Sequence, residues 1–352
     1  MSHPLQALLG IPLPVIQAPM AGAQGSALAL AVTQSGGLGS LPAATISLEA
    51  LRTELQVLQA QATGAYNVNF FCHRPPVQDA AREAAWNQAL APYYAEAGLP
   101  PPTAPAVAAR APFTAEAAEL LEAFRPPVVS FHFGLPEPAL LARVKAWGAK
   151  VLSSATTVEE ALWLEAHGVD AVIAQGLEAG GHRGIFLSDD LTTQMGTFAL
   201  LPQVVGAVRV PVIAAGGIVD AAGVAAAQAL GAAGVQVGTA YLLCPEAQTT
   251  PMHRQALQSG AARHTALTNV FTGRPARGIV NRAMRELGQG TVGISPLAPA
   301  FPLAATAITP LRTAAEKTGR TDFTPLWAGQ NAPACRPMPA SQLTRELAQG
   351  WR

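Results

Sequence analysis

The sequence predicts an α/β fold, a (β/α)8 barrel with an inserted segment after the third strand and a smaller C-terminal region. Two observations predict it: short apolar segments occur eight times along the 352 residues, and segments of helical composition separate most of them. Strands buried on both faces have continuous apolar sequences, and eight such units close into a barrel. The expected strands are 14–18, 37–40, 65–71, 127–133, 149–153, 169–174, 210–215 and 234–238.

Two of the predicted helices have recognisable ends. Thr157 and Glu160 have the spacing of a capping box at the start of the helix after the fifth strand, and Gly168 supplies its C-terminal stop. Asp220 is expected to cap the helix after the seventh strand, and Gly231 to end it. These signals support the alternation of strand and helix that a barrel requires.

Two regions exceed a minimal barrel. Residues 72–126 replace the short connection expected between the third and fourth strands, and we expect one or two helices there, with Tyr93 and Tyr94 packed in a small core of the insertion. We divide the chain into a barrel of residues 1–244 and a smaller, mostly helical region of residues 245–352 that packs over the barrel mouth. The helical patterns of this second region are 252–259, 311–318 and 341–350.

Composition excludes several classes of partner. Lys plus Arg equals Asp plus Glu at 22 each, so the chain has no net field to attract nucleic acid or an anionic membrane. Its three cysteines are far apart in sequence, which indicates neither a disulfide framework nor a zinc site. We find no pattern of an export signal or a membrane span. We therefore expect a cytoplasmic protein, a monomer or homodimer, that binds small molecules and no metal.

A histidine lies in a glycine-dense loop after the sixth strand. His182 follows Gly180 and Gly181, and such glycines let the backbone approach a ligand closely. The alternative is that the glycines only shape a turn and His182 is a surface residue. His132, near the end of the fourth strand, is a second candidate for the same pocket, the alternative being a buried histidine bonded to the backbone.

The last two strands run into glycine-rich loops. Gly216 and Gly217 follow the seventh strand, and Gly238 and Thr239 follow the eighth. In barrels of this class these two loops form a common phosphate site, because backbone N–H groups converge there. Gly216 and Gly217 could instead only permit close packing of strand and helix, but the pairing of two such loops favours a phosphate site.

Amide side chains at other strand ends suit the edge of a heteroaromatic ring. Asn69 and Gln175 can both donate and accept hydrogen bonds, Asn67 is expected to line the barrel below them, and segment 18–20 could pass over a flat ring. A polar-edged ring joined to a phosphate indicates FMN. The Gly-x-Gly-x-x-Gly sequence of a Rossmann dinucleotide domain does not follow the first strand.

Taken together, these motifs resemble the nitronate monooxygenases, formerly called 2-nitropropane dioxygenases, and particularly their bacterial class I. Their order and spacing agree over essentially the whole chain. The segments that carry the resemblance are 14–22, 36–39, 67–70, 178–184, 215–218, 236–239, 271–278 and 325–330.

The resemblance implies an FMN-dependent enzyme that oxidises alkyl nitronates, such as propionate 3-nitronate, with O₂. The products would be a carbonyl compound and nitrite, formed by one-electron transfer to the flavin without reduced nicotinamide. His182 would be the catalytic histidine, stabilising charge on the nitro oxygens or removing the α-proton of a neutral nitroalkane. Phe301 stands where related sequences lead us to expect a tyrosine. The cofactor contacts expected from the residues and from the resemblance together are Ala18, Pro19, Met20, Asn69, Gln175, Gly180, Gly181, Gly216, Gly217, Gln236, Val237, Gly238 and Thr239.

Three other functions are weighed against this one. A flavin-dependent enoyl-acyl-carrier-protein reductase would use NADPH and would need a basic surface near the barrel mouth. An inosine-monophosphate-dehydrogenase-like barrel would need a catalytic cysteine, and only Cys72 and Cys244 lie near strand ends. The third alternative is an inactive barrel that only binds a flavin or a nucleotide. The arginines that could form the basic surface are Arg274, Arg277, Arg282 and Arg285.

Overall fold

The computed structural model describes residues 4–102, 111–288 and 293–352. Residues 103–110 of the predicted insertion, and residues 1–3 of the amino-terminal stretch in which no export signal is expected, lie outside the described residues.

Eight parallel strands form the barrel, and each contains or overlaps one of the eight predicted segments. They are joined in the order β1-β9-β8-β6-β5-β4-β3-β2, and a parallel bridge between Ile16 and Leu38 brings the two ends of the sheet together. The predicted barrel is confirmed. The strands are β1 (Val15–Gln17), β2 (Gly39–Pro42), β3 (Tyr66–Phe71), β4 (Val128–His132), β5 (Lys150–Ala155), β6 (Ala171–Gln175), β7 (Gly181–His182), β8 (Val212–Ala215), β9 (Gly234–Val237), β10 (Thr265–Thr268) and β11 (Ala276–Ile279).

Helices surround the barrel and extend over its mouth. A helix after β9 is needed to complete the ring, and the last helix of the chain packs between α2 and α9 in that place. The helices are α1 (Pro4–Leu9), α2 (Ser26–Gln34), α3 (Leu48–Gln61), α4 (Ala80–Glu96), α5 (Ala115–Phe124), α6 (Pro138–Ala146), α7 (Val158–Ala166), α8 (Thr197–Ala207), α9 (Ala221–Ala229), α10 (Pro251–Leu257), α11 (Arg282–Leu287), α12 (Ala304–Lys317) and α13 (Ala340–Ala348). Within the described ranges, none of them has the length and apolar character to cross a membrane.

The predicted caps form, with one difference. Asp220 accepts from the backbone N–H of Gly223, and Thr157 accepts from that of Glu160. The Glu160 carboxylate, however, accepts from the N–H and hydroxyl of Thr156, both at 2.7 Å, instead of reaching back to the N–H of Thr157. Its other oxygen accepts from the N–H of Phe186. Glu160 is therefore a buried link between α7 and the segment that follows His182.

The insertion contributes one helix to the barrel ring and one to a second layer. Helix α5 packs between α3 and α6, whereas α4 packs against α12. Trp86 Nε1 donates to the carbonyl of Ala304, and the hydroxyl of Tyr94 donates to that of Ala307 at 2.6 Å. Tyr93 packs edge-on against Phe323. The prediction of a core private to the insertion is wrong, because both tyrosines pack against the C-terminal region.

The C-terminal region contains strands as well as helices. Strand β11 pairs antiparallel with β10 on one side and with β7 on the other, which places Ala276 opposite His182. Leu343 and Leu347 of α13 belong to the same hydrophobic core as the barrel. We call α4 together with residues 245–339 the cap. By its packing α13 lies with the barrel, although the sequence-based division at residue 244 groups it with the cap.

Candidate active site

A cavity of about 490 Å³ opens at the carboxyl ends of the barrel strands, where a barrel of this class has its active site. Val237 is the exception among the predicted site residues: its side chain is buried in the barrel core, and its carbonyl accepts from the N–H of Ala18. The predicted residues that line the cavity are Ala18, Pro19, Met20, Asn69, His132, Gln175, Gly180, Gly181, His182, Gly216, Gly217, Gln236, Gly238 and Thr239.

One end of the cavity, which we call the glycine end, is formed by Gly216, Gly217 and Gly238. Gly216 and Gly217 have φ angles of +124° and +73°, a region that favours glycine. A Cβ on Gly216 would lie 2.7 Å from the hydroxyl of Thr197. A side chain is thus excluded at Gly216 and strained by the positive φ at Gly217, and backbone atoms form the wall there.

Hydrogen bonds between Glu178 and Thr197 hold the glycine end in place. The carboxylate of Glu178 accepts from the N–H of Thr197 at 2.8 Å and from its hydroxyl at 2.9 Å. The Thr197 hydroxyl also lies 3.1 Å from the carbonyl of Gly216. The loop after β6 is in this way fixed to the loop after β8. No local sequence signal marks this contact.

A segment of the cap closes over the same end. Asn331 donates to the carbonyl of Gly217 at 2.9 Å, and the hydroxyl of Thr239 accepts from the N–H of Gly329 at 3.0 Å. A Cβ on Gly180 would lie 2.6 Å from the backbone of Ala328, so this glycine is needed for the close approach. Asn331 lines the cavity and was missed in the sequence, because it lies in a connector without a strand end nearby.

The amide side chains differ in how many of their hydrogen bonds are already made within the protein. Gln175 accepts from the N–H of Gly184 at 2.7 Å and donates to the carbonyl of His182 at 3.0 Å, so it fixes the histidine loop. Asn69 donates to Ser130. Asn67 lies deeper in the barrel, as predicted, and also donates to Ser130. Gln236 Oε1 is buried and has no hydrogen-bond partner among the described residues.

The other end of the cavity, the histidine end, contains His132 and His182. His132 Nε2 lies 3.2 Å from the carbonyl of His182, and its Nδ1 lies 3.0 Å from the hydroxyl of Ser154. A carbonyl can only accept, so the proton is on Nε2 and Nδ1 accepts from Ser154. Burial lowers the pKa of His132 to about 3, and the ring is therefore neutral at physiological pH.

His182 is held by the cap and surrounded by aromatic rings. Its Nε2 lies 3.0 Å from the hydroxyl of Thr272, which in turn lies 3.3 Å from the carbonyl of Arg274. The Thr272 hydroxyl can donate its hydrogen to the carbonyl of Arg274 and at the same time accept a hydrogen bond from the Nε2–H group of His182. The rings whose centroids lie within 6.2 Å of the His182 ring are those of Phe71, Phe133, Phe301 and Trp327.

Arg183, the neighbour of His182, is a buried cation that holds the end of β6 and the loop after it in place. It donates to the carbonyls of Gln175 and Gly176 at 2.8 and 2.7 Å and to the amide oxygen of Gln194 at 3.0 Å. Burial lowers its pKa to about 9. Its role is to fix the carboxyl end of β6.

The four arginines of the expected basic surface are separated in the structure. Arg277 is buried and donates to the carbonyl of Leu177, and Arg274 lies with its guanidinium 4.0 Å from the centre of the Phe133 ring. Arg282 is paired with Glu96 and Glu286. Of the four, only Arg285 is exposed. They do not combine into the basic surface that a carrier-protein partner would require.

Known proteins are similar to this chain over its whole length. The sequence profile of the nitronate monooxygenase family matches residues 2–350. Nitronate monooxygenases of Pseudomonas aeruginosa and Paraburkholderia phytofirmans are each 43% identical; the first similarity covers 98% of both chains, the second 97% of this chain and 92% of the relative. Nitroalkane oxidase from Streptomyces ansochromogenes superposes with a TM-score of 0.86 at 38% identity, with 98% of each chain covered. The chain therefore belongs to the nitronate monooxygenase family, a family of flavin-dependent oxidoreductases.

Proposed function

We propose that this enzyme binds FMN and oxidises alkyl nitronates, such as propionate 3-nitronate, with O₂ to a carbonyl compound and nitrite. The observation that carries the proposal is the arrangement of one cavity, with a wall of backbone atoms at one end and His182 among aromatic rings at the other. The even charge balance and the concave shape of the cavity favour small-molecule substrates over macromolecular ones. We further propose a cytoplasmic monomer or homodimer.

The residues present fit FMN on three counts. The cavity volume of about 490 Å³ lies in the range of small-molecule sites. Gly216 and Gly217 line the cavity with positive φ angles at the carboxyl end of β8, in a loop of the kind whose backbone N–H groups bind phosphate. The buried oxygen of Gln236 has no partner among the described residues and can accept from a ligand. Bound FMN would supply the acceptor for one electron from the nitronate.

His182 is the residue that we assign to the reacting group. The hydrogen bond between Nε2 and Thr272 holds the imidazole of His182 in place at the cavity wall. The ring can donate to a nitro oxygen when protonated, or take the α-proton of a neutral nitroalkane. The surrounding aromatic rings lower the local dielectric and strengthen either interaction.

His132 supports His182 in this proposal instead of reacting itself. Both of its ring nitrogens have protein partners, and one of these is the backbone carbonyl of His182. Phe301 supplies an apolar wall 5.4 Å from the His182 ring, so no phenol at this position contacts the substrate. The low pKa of His132 supports the same conclusion, because a ring that stays neutral above about pH 3 contributes no charge to the site.

The test measures which molecule gives electrons to the flavin. The purified yellow protein is mixed anaerobically with propionate 3-nitronate or with NADPH, and the visible spectrum is followed. We expect the nitronate to change the flavin spectrum at once and NADPH to leave it oxidised for many minutes. An oxygen electrode then follows turnover with propionate 3-nitronate and ethylnitronate. Rapid bleaching by NADPH without reaction toward a nitronate would instead indicate an enoyl reductase.

A further inference from the structure

A second group of polar side chains lines the same cavity, and no step of the proposed reaction uses it. This outer lobe consists of Thr249, His253, Arg312 and Thr324, all of which belong to the cap. Trp327 also lines the cavity, and its ring centre lies 5.5 Å from that of His182. The outer lobe and the histidine end are therefore parts of one continuous cavity.

Two atoms of the outer lobe are buried without a hydrogen-bond partner among the described residues. They are the hydroxyl oxygen of Thr249, a residue only 6% exposed, and Nε2 of His253. Burying a polar atom that has no partner costs free energy. A ligand group that accepts a hydrogen bond from the Thr249 hydroxyl is favoured here.

The third component of the outer lobe is a cation held in a fixed position. Arg312 Nε donates to Oε1 of Glu316 at 2.7 Å, and the same oxygen accepts from the hydroxyl of Thr324 at 2.9 Å. His253 lines the same cavity as Arg312. Burial lowers the pKa of His253 to about 4, and the charges of Arg254 and Arg312 act in the same direction. With Nε used by Glu316, the terminal nitrogens of Arg312 are the donors available to an anion.

We propose that the outer lobe binds a carboxylate at the end of the substrate remote from the nitronate carbon, with Arg312 and Thr249 as the donors. The inference rests on the proposed function, since it takes the nitronate itself to lie at His182. A guanidinium donates two parallel hydrogen bonds to a carboxylate, and a threonine hydroxyl can donate another. An alkyl tail makes none of these bonds. The lobe thus selects among nitronates by the charge of their tails.

The experiment compares two nitronates of matched length, propionate 3-nitronate and propyl-1-nitronate, which differ in a carboxylate against a methyl group. In Arg312→Gln we expect KM for the carboxylate-bearing nitronate to rise about tenfold more than KM for the alkyl nitronate, the size of a lost charged hydrogen bond. Thr249→Val removes a hydroxyl at nearly constant shape and should shift the same ratio in the same direction by less. Flavin content and melting temperature verify folding.

A matched control distinguishes an effect of the outer lobe from an effect of the protein's net charge. Arg209 is exposed just before β8, at the opposite end of the barrel, and Arg209→Gln removes the same charge far from the cavity. This variant should keep the wild-type ratio of the two KM values. An equal change for both nitronates in Arg312→Gln, or no change, overturns the assignment of the outer lobe and leaves the proposed function standing.

If the wild-type enzyme oxidises neither nitronate, the proposed function fails, and the outer lobe is then tested by binding alone. Calorimetric titration of the flavin-containing protein with 3-nitropropionate and 1-nitropropane measures the preference for the carboxylate. Loss of that preference in Arg312→Gln supports the outer lobe. The same preference in wild type and variant overturns it.

Discussion

The two ends of the cavity are built from different parts of the chain. At the glycine end, backbone atoms of Gly216 and Gly217 form the wall, and a side chain would meet the hydroxyl of Thr197 or need a strained φ angle. At the histidine end, side chains from the barrel and the cap surround His182. The glycine end is therefore suited to a ligand that is always the same, because backbone atoms form it. The histidine end can be adapted to the substrate, because side chains form it.

The largest expected effect is at the glycine end. Gly217→Asp should abolish retention of FMN, because it adds bulk and a negative charge where we expect the phosphate. Gly217→Ala is the control: its Cβ would lie 3.6 Å from the nearest atom, so it adds the strain of a positive φ without the charge. Flavin content per protein is measured by absorbance after gel filtration. An aspartate variant that stays yellow contradicts the phosphate assignment.

The histidine end should respond in the opposite way, with activity lost and cofactor kept. In His182→Ala we expect kcat/KM for nitronates to fall by about 10²–10⁴-fold, because a positioned proton-transfer or charge-stabilising group is removed. Flavin content should stay near that of wild type. His167→Ala, an exposed histidine outside the cavity, serves as the control. Near-normal rates with every nitronate would make His182 a structural residue.

A smaller effect tests whether the cap orients His182. Thr272→Val keeps the shape of the side chain and removes the hydroxyl that lies 3.0 Å from His182 Nε2. Loss of one hydrogen bond predicts a fall of about tenfold in kcat/KM. Thr272→Ser restores the hydroxyl and should recover most of the rate. Failure of serine to rescue would indicate that packing of Thr272, and not its hydrogen bond, is what matters.

The same contrast explains what the sequence could predict. The strands and the glycine loops are local patterns, since each apolar run and each Gly-Gly pair lies within a few residues, and they were predicted with little error. The position of His182 at the cavity could be predicted for the same reason. Its bond to Thr272 joins residues 90 positions apart, and the bond from Asn331 to Gly217 joins residues 114 apart. Such contacts depend on how the cap packs on the barrel, which no local pattern encodes.

Gln175 shows what the sequence cannot predict for a residue of the site itself. A polar residue after a strand predicts a contact with a ligand, and its side chain does line the cavity. Yet its amide bonds to Gly184 and His182. Sequence position can place a side chain at the active-site edge, but which partner it bonds depends on the conformation of the following loop. The β7 strand of that loop pairs with β11 of the cap.

The smallest expected effect concerns the stability of the histidine end. The pKa of His132 is about 3 in the folded protein and 6.5 in an unstructured chain, so below pH 6.5 the unfolded state binds a proton that the folded state does not. The free energy of unfolding must therefore fall as the pH drops through this window, by about 2 kcal/mol between pH 7 and pH 5 for this one group. His132→Asn removes the titrating ring, and although it also loses the bond to His182, that loss is the same at both pH values. Urea denaturation at pH 7 and pH 5 should thus show a smaller pH dependence in the variant than in wild type, by about the same 2 kcal/mol. An equal pH dependence in the two proteins would mean that His132 is protonated in the folded state and that the carbonyl of His182 and the hydroxyl of Ser154 do not hold a neutral ring.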